Sequence, residues 1–274
     1  MVTVRKPVVA GQFYPGSRLQ LEKTIEGLFR DSPTKIAKIP AKAVILPHAG
    51  YMYSGAVAAS TIASVELKDI LVILGPNHTG LGARFSVMTK GIWQTPLGDV
   101  KVEETLAQAL VDGTSPLEDD ILAHAQEHSI EVLLPLWQAV KKAFTIVPIV
   151  IGHATSAIYQ NIADHIADTL LQRHLADKIS FVASSDMTHY ETQTSANAKD
   201  RYAIEAILNL DAREMLRRIE TKDISMCGAA PVAVMLYVLQ KLGAKEAQLI
   251  QYRTSGDVTG DHRSVVGYAG IRIR

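Results

Sequence analysis

Ile70-Leu-Val-Ile-Leu74 runs directly into Gly75-Pro76-Asn77-His78-Thr79-Gly80. Five consecutive apolar residues leave no polar face, so the run reads as a strand buried on both sides. Glycine and proline then impose a tight turn, and a histidine stands within it. A strand covered on both faces needs like neighbours beside it and helices above and below, which is an α/β sandwich.

Three further runs have the same character: Ala43-Val-Ile-Leu46, the stretch 144–151 interrupted by Thr145 and Pro148, and Ile179-Ser-Phe-Val-Ala183. Between and after them the patterns predict helices over 54–65, 103–111, 126–140, 159–175, 196–208, 211–219 and 229–242. Within 126–140, Ile130, Leu133, Leu134 and Trp137 fall at i, i+3, i+4 and i+7. The end of the chain returns to strands over 247–253 and 265–273. The expected fold is α/β, with a central mostly parallel or mixed sheet flanked by helices on both faces.

The 274 residues hold no linker-like stretch and no repeat, so one domain spanning 1–274 is expected. Lys plus Arg and Asp plus Glu both number 28, so no basic surplus marks a nucleic-acid binder. With 47% hydrophobic and 20% charged residues, disordered and low-complexity classes are excluded. The single cysteine, Cys227, permits no intramolecular disulfide and points to a reducing compartment. No apolar run approaches the roughly 18 residues that span a bilayer. The start, Met1 to Pro7, is followed by no apolar leader core. A cytoplasmic protein without membrane or nucleic-acid partners is the expectation.

Three histidines share one setting. His48 follows the 43–46 run, His78 follows the 70–74 run, and His189 follows the 179–183 run within Ser184-Ser185-Asp186-Met187-Thr188-His189-Tyr190. In open α/β sheets ligands bind beyond the carboxyl ends of the strands. If the three strands are neighbours, the imidazoles converge on one cleft, as metal ligands or proton carriers. Taken singly, each is equally a solvated or capping loop residue. Asp186 could orient His189 through its second ring nitrogen, or could cap a turn. Cys227, just ahead of the 229–242 helix, reads either as a thiolate activated by the helix N-terminus or as a small buried hydrophobe; spacing alone favours the second. His124-Ala-Gln-Glu127-His128 matches the H-x-x-E-H pattern of inverted zinc peptidases, and equally suits the polar face of an amphipathic helix.

The segments Leu46-Pro-His48-Ala-Gly-Tyr51, Gly75-Pro-Asn-His78, Glu127-His128-Ser-Ile-Glu131, Ser184-Ser-Asp186-Met-Thr-His189 and Met226-Cys227-Gly228 together resemble, in order, the signature segments of the Memo family. Ala10-Gly-Gln-Phe-Tyr-Pro15 and Thr254-Ser-Gly-Asp-Val258 fit as well, and the resemblance runs from residue 7 to 271. It implies a fold similar to class III extradiol dioxygenases, whose Fe(II) is held by two histidines and a carboxylate. By position it implies His48 and His78 as metal ligands, Cys227 as the third in place of the dioxygenases' glutamate, His189 as the acid/base with Asp186 beside it, and His128 and Glu131 in or behind the cleft. Fe(II) is the first metal implied. A thiolate is softer than a carboxylate, so Zn or Cu is also admitted, as is a site with no metal. Three functions follow: a redox or dioxygenase-like enzyme on an unknown substrate, a module binding a peptide or small molecule in the same cleft, and a metal-dependent hydrolase. Animal members are described as adaptors binding receptor-derived peptides. Microbial members are often encoded beside radical-SAM and AMMECR-type proteins, which implies a functional association. The resemblance accounts for the Glu127-His128 segment, so His124 is not expected to bind metal.

Overall fold

The four buried runs lie side by side in a computed structural model that describes residues 3–32 and 37–274. Met1 and Val2, the start of the stretch read for a leader, lie outside the described residues. In sheet order the runs are Thr145–Ile151, Ile70–Pro76, Ile179–Ser184 and Ala43–Leu46, all parallel. Ala183 pairs with Leu74 on one side and Ile45 on the other. The strands that precede His78, His189 and His48 are therefore immediate neighbours, and their carboxyl ends leave the sheet along one edge. The side chains of Leu71 to Leu74 are wholly buried, as a strand covered on both faces requires.

The sheet is mixed. Val265–Ile273 runs antiparallel beside Ala43–Leu46 and carries Ala247–Thr254 on its far side. Beyond Thr145–Ile151 stand Gly98–Val102, Ile92–Thr95 and Val4–Arg5. Helices cover both faces, among them Tyr51–Ala63, Ser156–Gln172, Gln193–Leu208 and Ala229–Lys241. Among the described residues no helix is long and apolar enough to cross a membrane.

One expected helix is largely absent. Over 126–140 only Leu134–Val140 is α-helical, preceded by a single tight turn at Glu131–Leu133; the short helix Leu122–Ala125 ends before Gln126. Pro135 explains the boundary. It lacks an N–H and its ring would clash with the carbonyl four residues back, so it belongs in a first turn. The periodic residues Ile130, Leu133, Leu134 and Trp137 are still buried, but 126–130 is free to turn sharply. The helix Arg18–Arg30 and the strands Phe85–Val87, Ile92–Thr95 and Gly98–Val102 escaped the sequence reading, because none carries a continuous apolar run.

The first strand is tied to the body by Arg5. Its side chain is buried, lies over the Trp93 ring at 4.5 Å, donates from Nε to the His124 carbonyl at 3.1 Å, and pairs with Glu131. His124 is itself wholly buried, with Nε2 2.9 Å from the Ser86 hydroxyl. Burial, reinforced by the Arg5 charge, pushes its pKa down to about 3. The unfolded chain therefore takes up this proton first. The stability from keeping His124 neutral is complete above about pH 6.5 and is lost as the pH falls toward 3, at about 1.4 kcal/mol per pH unit. In urea melts between pH 6 and 4, His124→Gln should lower the pH slope of stability by about one proton's worth. An unchanged slope would refute this account.

Candidate metal centre and cleft

The convergence expected from the strand ends is present. One ligand atom each from His48, His78 and Cys227 lies within 4.8 Å of the other two, and Cys227 Sγ is 3.3 Å from His48 Nε2. The centroids of the His48 and His78 rings are 5.2 Å apart, and His128 lies 5.5 and 4.9 Å from them. His48, His78, His128, Asp186 and His189 all line one cleft of about 920 Å³, walled also by Phe13, Tyr53 and Tyr190. Of the sequence-predicted residues, two do not line this cleft: Glu131 is fully buried behind it, and Cys227, though close to His48, is not among its lining residues.

Hydrogen bonds settle which ring nitrogens carry protons. The Ser184 hydroxyl donates its one hydrogen to the Ser129 carbonyl at 2.7 Å, so at 2.7 Å from His48 Nδ1 it can only accept. His48 Nδ1 is therefore protonated and Nε2 keeps its lone pair, facing Cys227. His78 Nδ1 lies 2.9 Å from Glu127 Oε1, a carboxylate that can only accept, so Nδ1 carries a hydrogen and Nε2 is the nitrogen left for a metal. His189 Nδ1 lies 2.9 Å from the Ser225 carbonyl, with the same outcome. Burial, with His78 and His128 alongside, pushes His48 well below the usual imidazole range. Neutral imidazoles with a fixed tautomer are what a metal requires of histidine.

Glu127 is the residue that spacing misassigned. Read as the base of a peptidase motif, it instead accepts from the backbone N–H and Nδ1 of His78 and from the N–H of Ser129. Burial pushes its carboxyl up, but the His78 hydrogen bond and charge and these N–H groups outweigh that and hold it down at about 2. Glu127, His78 and His128 also form a second set of close ligand atoms. His124 belongs to neither set, so the i, i+4 histidine pair does not form a site. Ser184, Ser129 and Ser225 likewise escaped the sequence reading; they act through partners distant in sequence, and no local pattern marks them.

One expected role needs correction. Asp186 does not hydrogen-bond His189: its Oδ1 accepts from the His48 N–H at 2.8 Å, and Ser225 holds both the His189 N–H and its Nδ1. Only Met187 and Thr188 stand between Asp186 and His189, yet the carboxylate is turned toward the 43–46 strand end. Burial pushes Asp186 up to about 6, against the His48 N–H and the His189 charge. Of the two readings of Cys227, the surroundings of the thiol support the one that spacing favoured, a small residue in an apolar setting. Burial pushes its thiol well up, and the Asp186 carboxylate pushes it further; the Gly228 N-cap of the Ala229–Lys241 helix does not offset this. The cysteine's position is fixed nonetheless. Gly228 donates to Ser185 Oγ at 3.0 Å, and a Cβ on Gly228 would overlap the Ser184 carbonyl and the Ser185 side chain.

The model for Memo-like proteins matches residues 5–272. A MEMO1 family protein of Methanopyrus kandleri is 42% identical over 98% of this chain and 99% of its own length. One from Sulfurisphaera tokodaii is also 42% identical with the same coverage. One from Methanococcoides burtonii is 40% identical over 99% of this chain and 100% of its own. Matched from end to end by such relatives, and by the family's own sequence model, the chain belongs to the Memo family.

Proposed function

We propose that the cleft is the active site of a metal-dependent enzyme of redox, oxygenase-like character. His48, His78 and Cys227 hold the metal, Fe(II) first and Zn or Cu as alternatives. The observation that carries this reading is the donor set itself. Two imidazole lone pairs, each fixed by a hydrogen bond at the opposite ring nitrogen, meet a thiol within 4.8 Å. The chemistry fits a transition metal: soft sulfur and borderline nitrogen donors disfavour Mg or Ca, and the half-buried thiol would gain a cation beside it. Such a metal supplies Lewis acidity, draws the thiol to thiolate, and with iron or copper supplies one-electron redox change.

The chain's own residues do the rest. Ser184 and Glu127 hold the two ligand rings. His189, its Nδ1 spent on Ser225, turns Nε2 to the cleft as the group that takes or gives a proton. Asp186 fixes the His48 backbone and contributes negative charge near His189. Phe13, Tyr53 and Tyr190 offer apolar walls to an organic substrate. The same walls support a second reading, in which the cleft receives a peptide or small molecule without transforming it.

Elemental analysis of protein purified anaerobically, without affinity-tag nickel, separates the two. Stoichiometric iron followed by substrate-dependent oxygen uptake supports the enzyme, whereas metal-free protein that still binds ligand supports the module. Cys227→Ser should lose most affinity for Fe(II), Zn(II) and Cu(I) in competitive titrations while melting as wild type does. Cys227→Glu should shift preference toward Fe(II). Equal binding by all three proteins would make Cys227 a packing residue. Glu127→Gln, which frees the His78 tautomer, should weaken metal binding about 10–100-fold; undiminished affinity would remove Glu127 from the site.

A further inference from the structure

Cys227 does not line the cleft that holds His48, His128 and His189. It lines a second cavity of about 820 Å³, and of the histidines around the centre only His78 is common to both. Part of this second cavity's lining is buried: Ile151, Tyr159, Ile224 and Met226 line it together with Cys227. Its mouth is exposed and carries Arg213 and Arg217 from the first half of the helix Ala212–Lys222. Arg217 is paired with Glu214, whereas Arg213 has no hydrogen-bond or ion-pair partner among the described residues. The first turn of Ser156–Gln172 also lines the cavity, and its Thr155 N-cap makes no side-chain bond to the free N–H groups. Glu220 and Asp223 face the cavity further along, toward Ile224. From Arg213 to Asp223 is about 15 Å of helix.

We propose that this cavity is a second entrance and binding site, which brings a small molecule bearing an anionic group to the Cys227–His78 side of the centre. Its acidic group rests at the mouth, where unpartnered guanidinium and helix N–H groups favour an anion. Its uncharged part reaches inward past the carboxylates to the buried apolar lining. The front cleft and the rear cavity then serve two different ligands at one centre. The route is independent of whether Cys227 holds a metal, so it can fail or stand apart from the function proposed above.

Because Cys227 is the chain's sole cysteine, its alkylation in metal-free protein reads access directly. Ala154→Trp and Ala229→Trp fill the rear cavity from two separate walls; Ala49→Trp and Ala56→Trp fill the front cleft. Iodoacetamide labelling should fall to a small fraction of the wild-type rate in both rear variants and stay within about twofold in both front variants. Arg213→Glu should slow iodoacetate several-fold more than iodoacetamide. Slowing by the front variants alone, equal slowing by all four, or no slowing by any would overturn the rear entrance. Equal effects of Arg213→Glu on both reagents would overturn its preference for an anion. Circular dichroism of each variant confirms that the folded chain is being labelled.

Discussion

The structure hangs on two carboxylates buried four residues apart in one turn. Removing a carboxylate from water costs several kcal/mol unless its oxygens are fully engaged, and Glu127 and Glu131 are both wholly buried. Glu127 gathers the His78 loop and the Ser129 N–H. Glu131 gathers the Arg5 guanidinium, the N–H groups of Val8 and Val9, and the Tyr14 hydroxyl at 2.6 Å. One demand fixes His78. The other pins the N-terminal segment whose residues from Gly11 to Gly16 wall the front cleft. Between the two acids, the Ser129 carbonyl accepts from Ser184 and so orders His48 as well. A regular helix over 126–140 would aim these groups at different neighbours, and the turn ahead of Pro135 is what lets them all connect.

Much of the fold was legible because burial on both faces leaves a continuous apolar run, and four such runs became four adjacent parallel strands. The cleft followed from a rule about strand ends, and His48, His78 and His189 could be picked out by it. The signature segments extended the reading to Cys227, His128 and Glu131. What stayed hidden was the layer behind the ligands. Glu127 meets a histidine 49 positions away, and Ser184 bridges 136 positions to His48 and 55 to Ser129. Hydrogen bonds across such separations leave no periodicity in a sequence. The misplaced helix and the misassigned Asp186 have the same origin, since each depended on a partner or a boundary that only packing supplies.

The electrostatics around His48, His128 and Cys227 are those of prepared but uncharged donors. Burial disfavours protonated His48 and His128 and ionised Cys227. The one strongly held charge is Glu127, kept ionised by donors rather than by solvent. Tyr190, next to His189, adds a different kind of tension. Its backbone sits in the left-handed region at φ 60, and its side chain is 79% exposed at the rim. A bulky residue held there without burial in return is a common mark of sites that touch a ligand.

The distance in sequence between the donors has a consequence for how the centre is assembled in the cell. His48 and Cys227 stand 179 positions apart, so a ribosome finishes more than half the chain between making one and the other. Until Cys227 has been made, no partial chain offers the complete set. On the reading proposed above, selection among cations would fall to a rigid, finished pocket rather than to a loose peptide, which would follow the general order of affinity and capture copper first. Late closure would then act as a form of quality control over which ion is admitted.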